Sequence, residues 1–338
     1  MTYWIFTTCL LITICQCSRI CASETVSELV LKQKPRSDED SEKGPVTRHY
    51  IARISNATAD PQMLSFLTDL STKFGKIPAD KYNILDSLTI NQTKLIAEQA
   101  RQLEQIATDV FTISNCELND EVANSLSRIR CRKILSKNLK LSDAALSTLL
   151  NSPILRSFAA EEIRGCTAEG WRGLAHKSIG VSLTDCDFTD EAFRHLSECT
   201  HIELRNAQIT DIAMESLKKH KLETLALSGC PITNEGLQKL RELPELSKLD
   251  LSRTSITDES LQKLPKMPKL THLDLSETAI TNEGFHNFFV PPDLHEIRLT
   301  GTKVTSAWGI EFTRQHHGSN PADKLRVDFL HDPRCASS

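Results

Sequence analysis

The side chains here with chemical potential recur at a fixed interval, and that interval shapes every reading of them. Residues 246–269 read LSKLDLSRTSITDESLQKLPKMPK, and LTHLDLSETAITNEGFHNFFVPPD follows directly. Superposed, Asp250 falls on Asp274 and Asp258 on Asn282. Paired carboxylates serve as general acid and base, or as hard ligands for a cation. Seven cysteines lie beyond residue 23, at 116, 131, 166, 186, 199, 230 and 335. Thiols can ligate zinc or pair as disulfides, but an odd number argues against a complete disulfide framework. Among the 11 histidines, His316-His317 in RQHHGSN is the densest pair. No carboxylate or cysteine stands near it at ligand spacing, so no metal site and no cofactor are expected. The sequence has no G-x-S-x-G, H-E-x-x-H or P-loop motif.

The elements that position these residues follow from self-similarity, which decides architecture when its period is 20–50 residues. Copies of L-x-L, a short polar run, an aliphatic and Thr/Ser-Asp/Asn begin at Phe111, Ile134, Ser157, Val181, Ile202, Leu225, Leu249, Leu273 and Ile297. The aligned acid or its stand-in is Asp120, Asp143, Ala168, Asp190, Asp211, Asn234, Asp258, Asn282 and Ser306, in steps of 21 to 25 residues. In L-x-L both leucines point to one side of a short strand and x points to the other. Thr257 supplies an N-cap oxygen, with Asp258 and Glu259 in the first turn against the positive end of the helix dipole. Leu261 and Leu264 turn one helix face inward, and Pro265 and Pro268 end the unit. One unit cannot bury its leucines alone, whereas stacked units can. The expectation is an α/β solenoid of about nine strand–helix units, with parallel strands on one face and helices on the other.

On Leu249, Leu251, Thr254, Ile256, Thr257, Asp258, Leu261 and Leu264 and their copies, the sequence resembles the leucine-rich repeat family. It is most similar to the cysteine-containing subtype of F-box adaptors and bacterial secreted proteins. The resemblance covers roughly Val110 to Phe312. It implies a horseshoe with strands on a concave, partner-binding face and helices on the convex side. It also implies that the column of Cys116, Cys186, Cys230, Thr254, Thr278 and Thr302 turns inward at a coil corner. Cys166 falls in the inward column of Ile256. His201 and His272 face the concave side three strands apart, some ~14 Å, too far to share an ion.

Five segments are expected. Residues 1–23 contain an apolar run, Trp4 to Cys15, of signal-peptide length, with Cys21-Ala22-Ser23 where a peptidase would cut. Residues 24–48 are a charged linker that cannot order itself. Residues 49–108 form a helical cap, from Asp60-Pro61 and from Thr93 to Ala107 with Ile96, Ala100, Leu103 and Ala107 on one face. The repeats run over 109–330, and 331–338 is a tail. The net charge of −4 and the mixture of acids and bases offer no case for nucleic acid. Membrane contact would come only through an uncleaved N-terminal segment.

The concave columns nominate Lys248, Asp250, Arg253, His272, Asp274, Glu277 and Arg298 as a binding face for a macromolecular partner, expected to be a protein. Asp250, Asp274 and Arg298 form one row at about 4.8 Å spacing. The sequence therefore reads as a non-enzymatic, exported repeat protein, secreted or held at the periplasm or cell surface. Two alternatives are an intracellular F-box-like adaptor of a ubiquitin ligase and an enzyme with its site at a solenoid end.

Overall fold

The computed structural model describes residues 50–55, 85–91, 95–104, 106–219, 221–240, 243–316 and 325–329. The expected signal segment, linker, tail, helix at Asp60-Pro61 and His317 lie outside them. The chain divides into two compact units, Met1–Leu155 and Arg156–Ser338.

In the first unit, β1 (Tyr50–Ser55), β2 (Leu85–Asn91), β3 (Ala107–Ser114) and β5 (Arg130–Lys137) pair in parallel in that order. Two short strands, β4 (Glu117–Leu118) and β6 (Lys140–Leu141), form a second small sheet. Within 49–108, where a helical cap is expected, Tyr50–Ser55 and Leu85–Asn91 are strands instead. The signal for β2 is local: Leu88-Thr89-Ile90-Asn91 is itself an L-x-L copy. Leu88 and Ile90 are fully buried, and Ile90 pairs with Ile113, one repeat period further on. Of the second expected cap helix, Ala97–Leu103 forms. Ala100 and Leu103 are buried, but Ile96 is the exposed N-cap residue and Ala107 opens β3.

The second unit carries eight parallel strands in chain order: β7 (Ser157–Glu161), β8 (Gly180–Thr184), β9 (His201–Arg205), β10 (Thr224–Ala226), β11 (Lys248–Asp250), β12 (His272–Asp274), β13 (Glu296–Arg298) and β14 (Arg326–Asp328). Their inward leucines make the core. Leu225, Leu227, Leu249, Leu251, Leu273, Leu275, Ile297 and Leu299 are all at most 2% exposed. Each such burial contributes about 1.5–3 kcal/mol. Three return segments, Gly170–Leu174, Ala213–Lys219 and Asn282–Phe285, are 3₁₀ turns, while Asn234–Lys239, Asp258–Gln262 and Ser306–Gln315 are α-helical. A coil of about two dozen residues leaves room for only a turn or two.

The recurring acid ties one coil to the next. Asp190 accepts both the N–H and the hydroxyl of Thr210, at 2.8 and 2.6 Å. Asp211 holds Thr233 in the same way, and Asp258 holds Thr281 at 2.7 Å in both bonds. Where asparagine replaces the acid, its amide accepts from the N–H and donates to the hydroxyl: Asn234 to Thr257, Asn282 to Thr305. In the first unit, Asp120 accepts from Ser142. The N-cap expected of Thr257 is corrected accordingly. Thr257 occupies the cap position without a side-chain cap bond, and its hydroxyl receives the Asn234 amide. Thr233, Thr281 and Thr305 do cap their turns.

The corner column is as the resemblance implies. Thr254, Thr278 and Thr302 donate to the carbonyls of Leu251, Leu275 and Leu299, and the Cys116 thiol donates to that of Ser114. Cys116, Cys131, Cys166, Cys186, Cys199 and Cys230 are buried. Burial pushes the thiols of Cys186, Cys199 and Cys230 up to about 11 and that of Cys131 to about 12. They fill corners and remain protonated, and are poor nucleophiles or metal ligands.

Candidate functional site

The face of the second unit's sheet that points away from the leucines is open, and strand register sets which side chains meet there. Ala226, Asp250, Asp274 and Arg298 lie in one row, each paired with the next, and Glu203 and Asp328 extend it. The preceding row is His201, Thr224, Lys248, His272, Glu296 and Arg326. Of the seven nominated residues, Lys248, Asp250, His272, Asp274 and Arg298 line one shallow depression on β9 to β13.

Arg253 and Glu277 are not part of that depression. They stand just past the strand ends in left-handed backbone, with φ of 57° and 55°. Gly229 and Gly301 fill the same place in neighbouring coils. The Arg253 guanidinium grips the Glu277 carboxylate through two hydrogen bonds of 3.0 and 2.9 Å. That bond raises the Arg253 pKa above its ordinary value. In the first unit the same kind of position carries a side-chain ladder, in which Asn138 donates to Asn115 and Asn115 to Asn91. Both charges are committed to a neighbouring coil, which is a structural use.

The two aspartates at the row's centre also have a local role. Asp250 accepts the N–H of Ser252 and Asp274 that of Ser276, each at 2.9 Å. A carboxylate bonding the backbone two residues on closes a turn where the strand ends. Each keeps its second oxygen, and in Asp274 that oxygen lies 3.8 Å from Arg298. Arg298 donates chiefly to Glu296, at 2.8 Å, and this bond raises its pKa. The His272 ring is fixed between the Thr271 hydroxyl, 2.8 Å away, and Glu296, 3.7 Å away. Lys248 is exposed and makes no ion pair among the described residues.

Eight further residues line the depression, among them Glu203, Arg205, Thr224, Ala226 and Glu296. The columns contain them, but alanine and threonine carry no charge pattern to mark them out. Among the described residues, no group of three His, Cys, Asp or Glu side chains is placed to hold a metal ion.

A family model described as Zer-1-like leucine-rich repeats matches residues 190–293, less than a third of the chain. No curated protein matches. An internalin, inlF, from Listeria monocytogenes str. 4b F2365 is 16% identical, with a TM-score of 0.50 over 85% of this chain and 74% of the internalin. That likeness is one of fold alone. A plant peptide hormone receptor, RGFR1, in complex with RGF2 is 16% identical over 75% of this chain and 45% of its own, at a TM-score of 0.38. A TDR receptor is 15% identical over 84% and 45%, at 0.43. The chain spans less than half of either receptor, and neither fit is close enough to carry weight.

Proposed function

We propose that this chain, which is a leucine-rich repeat protein, binds a protein partner on the open, concave face of β9 to β13 and does no chemistry on it. The observation that carries this reading is the in-register face itself. Five strands present two rows of polar side chains, and Lys248, one oxygen of Asp250 and part of Asp274 have no commitment to the fold. A coil needs its leucines inside and its clamp at the corner, but not a lysine on the outside. Lys248, Asp250, His272, Asp274 and Arg298 are the contact residues, and Arg253 and Glu277 fix the rim beside them.

Removing the aspartates altogether would confound binding with turn closure. The cleaner variant is Asp250→Asn with Asp274→Asn, which retains an oxygen for Ser252 and Ser276. Partner capture followed by mass spectrometry should show specific proteins lost from this variant while its thermal unfolding matches the parent. Capture that stays the same would end the proposal.

Export belongs to the same reading and rests on the apolar run at residues 4–15, outside the described residues. Sequencing the mature N-terminus should place it near Glu24. The intracellular adaptor has one observation in its favour: Cys131, Cys186, Cys199 and Cys230, buried and free, suit a chain that folds without disulfides. An intact N-terminus would favour it.

A further inference from the structure

In the first unit, the coil built on β5 is one-sided in charge. Residues 122–142 carry Arg128, Arg130, Arg132, Lys133, Lys137 and Lys140 and no acid, and all six cations are exposed. Two are answered from the preceding coil: Glu104 lies 3.1 Å from Arg128, and Asp109 lies 3.8 Å from Arg132. Arg130 and Lys133 make no ion pair among the described residues. Arg130 and Arg132 flank the buried Cys131, so both leave the strand on the side away from the core, and the exposed Lys133 follows them. Three cations within four residues repel one another, and an anion brought to them relieves that repulsion.

The chain carries the complement close by. Residues 38–42 read Asp-Glu-Asp-Ser-Glu, four acids and no base, and they belong to the same compact unit as β5. Strand register fixes where the chain between them enters the sheet. Tyr50, the first residue of β1, pairs with Leu85, Leu85 with Thr108, and Thr108 with Cys131. The chain therefore enters level with Cys131, the residue between Arg130 and Arg132, at three strand spacings or about 14 Å. Eight residue steps separate Glu42 from Tyr50, a reach of up to about 26 Å. The acids can meet the cations with length to spare.

We infer that residues 38–42 dock on Arg130, Arg132 and Lys133 of their own chain, so that a basic face of the first unit is held closed by the chain itself. Each exposed ion pair is weak and screened by salt. A connection this short compensates, because it sets the effective concentration of the acids at about millimolar. An acidic segment from another molecule would have to reach a similar concentration to displace them. The contact rests on charge and reach, so it should weaken steadily as ionic strength rises. Only the first unit is involved, and loss of this contact would leave the proposal for β9 to β13 standing.

The test uses the full chain and a carbodiimide, which joins a carboxylate to a lysine amine only where the two touch. Peptide mapping should find Lys133 linked to residues 38–42 at about 0.05 M NaCl, with the product fading by about 0.5 M. Arg130→Gln with Arg132→Gln should cut that yield severalfold although Lys133 remains. In an equal mixture of ¹⁵N-labelled and unlabelled chains, both linked peptides should come from one isotope pool. Absence of the link, a yield indifferent to the arginines, or links mixed between pools would overturn the inference, the last by assigning the contact to a second copy. A second measurement needs no change in the folded units. A fluorescent peptide copy of residues 37–42 should bind the chain carrying Asp38→Asn, Glu39→Gln, Asp40→Asn and Glu42→Gln at least about tenfold more tightly than the parent chain. Equal binding to the two chains would show a face open to outside acids, and no binding to either would show no acidic site; both sink the closure.

Discussion

At the scale of single residues, the acids of the repeat fall into two kinds distinguished by what they hold. Asp258 lies in a half-buried corner and makes two bonds to the next coil, to the Thr281 N–H and hydroxyl. A role limited to the helix dipole would make Asp258→Ala cost about 0.3–1 kcal/mol. Two lost hydrogen bonds, one leaving a backbone N–H without its acceptor, instead predict about 1–3 kcal/mol. Asp258→Asn should cost far less, because Asn234 and Asn282 make the same clamp in neighbouring coils. Urea unfolding of the two variants decides between the roles: equal losses for alanine and asparagine would mean that charge, not the clamp, matters there. Asp250 differs in kind, with one bond inside its own turn and one oxygen left over, and that leftover capacity makes it a binding candidate.

At the scale of the element, the clamp explains a residue that helix propensity cannot. Gly236 is the third residue of the helix Asn234–Lys239, where alanine would ordinarily gain up to about 1 kcal/mol. A Cβ there would lie 2.2 Å from the Asp211 carboxylate, which is bonded to Thr233. Gly236→Ala is therefore expected to destabilise by pushing that carboxylate off its threonine. In an Asp211→Ala background, where the clamp is already lost, the same change should be neutral or stabilising. A double-mutant cycle should return a coupling of about 1–3 kcal/mol, and additive effects would remove the steric explanation. The same example marks what was legible in the sequence. The period, the inward leucines and the corner threonines could be read because each depends on residue type at fixed spacing. The bond from one coil's acid to the next coil's threonine could not, because it joins residues 20 or more positions apart that each look sufficient as a helix start. β2 was hidden for another reason: its L-x-L copy, one period before Phe111, is followed by Ile96-Ala97 where the next copy has Asn119-Asp120. On the open face, the charged columns were legible, but the pairing of Arg253 with Glu277 depends on rotamers that spacing does not fix.

At the scale of the whole molecule, a stack of repeats is as stable as its coils and the interfaces between neighbours, so a weak interface limits its cooperativity. One such interface is visible. Thr167, Ala168 and Glu169 occupy the places of Thr281, Asn282 and Glu283: the Thr167 hydroxyl accepts the Glu169 N–H just as that of Thr281 accepts the Glu283 N–H. Alanine at the clamp position has nothing to offer the next coil, and Thr189, the residue it would hold, makes no side-chain cap bond. Aromatic packing serves this junction instead. Trp171 meets Phe158 and Phe188 edge to face, with ring centres 6.4 and 5.1 Å apart, and its indole donates to the Asp187 carbonyl. Trp171, Phe158 and Phe188 are fully buried, so the core here is filled while the corner is unclamped. Ala168→Asp should therefore complete the ladder by reaching the N–H and hydroxyl of Thr189, and should stabilise the chain by about 1–2 kcal/mol. Most surface substitutions fall within about ±0.5 kcal/mol, so a gain of this size in urea unfolding would be distinctive. Thr189→Val should abolish the gain, since half of the new clamp is that hydroxyl. Hydrogen exchange should show the added protection at Thr189 and in its turn. A stabilisation that survives Thr189→Val would assign it to helix-end charge and leave the junction dependent on Trp171 alone.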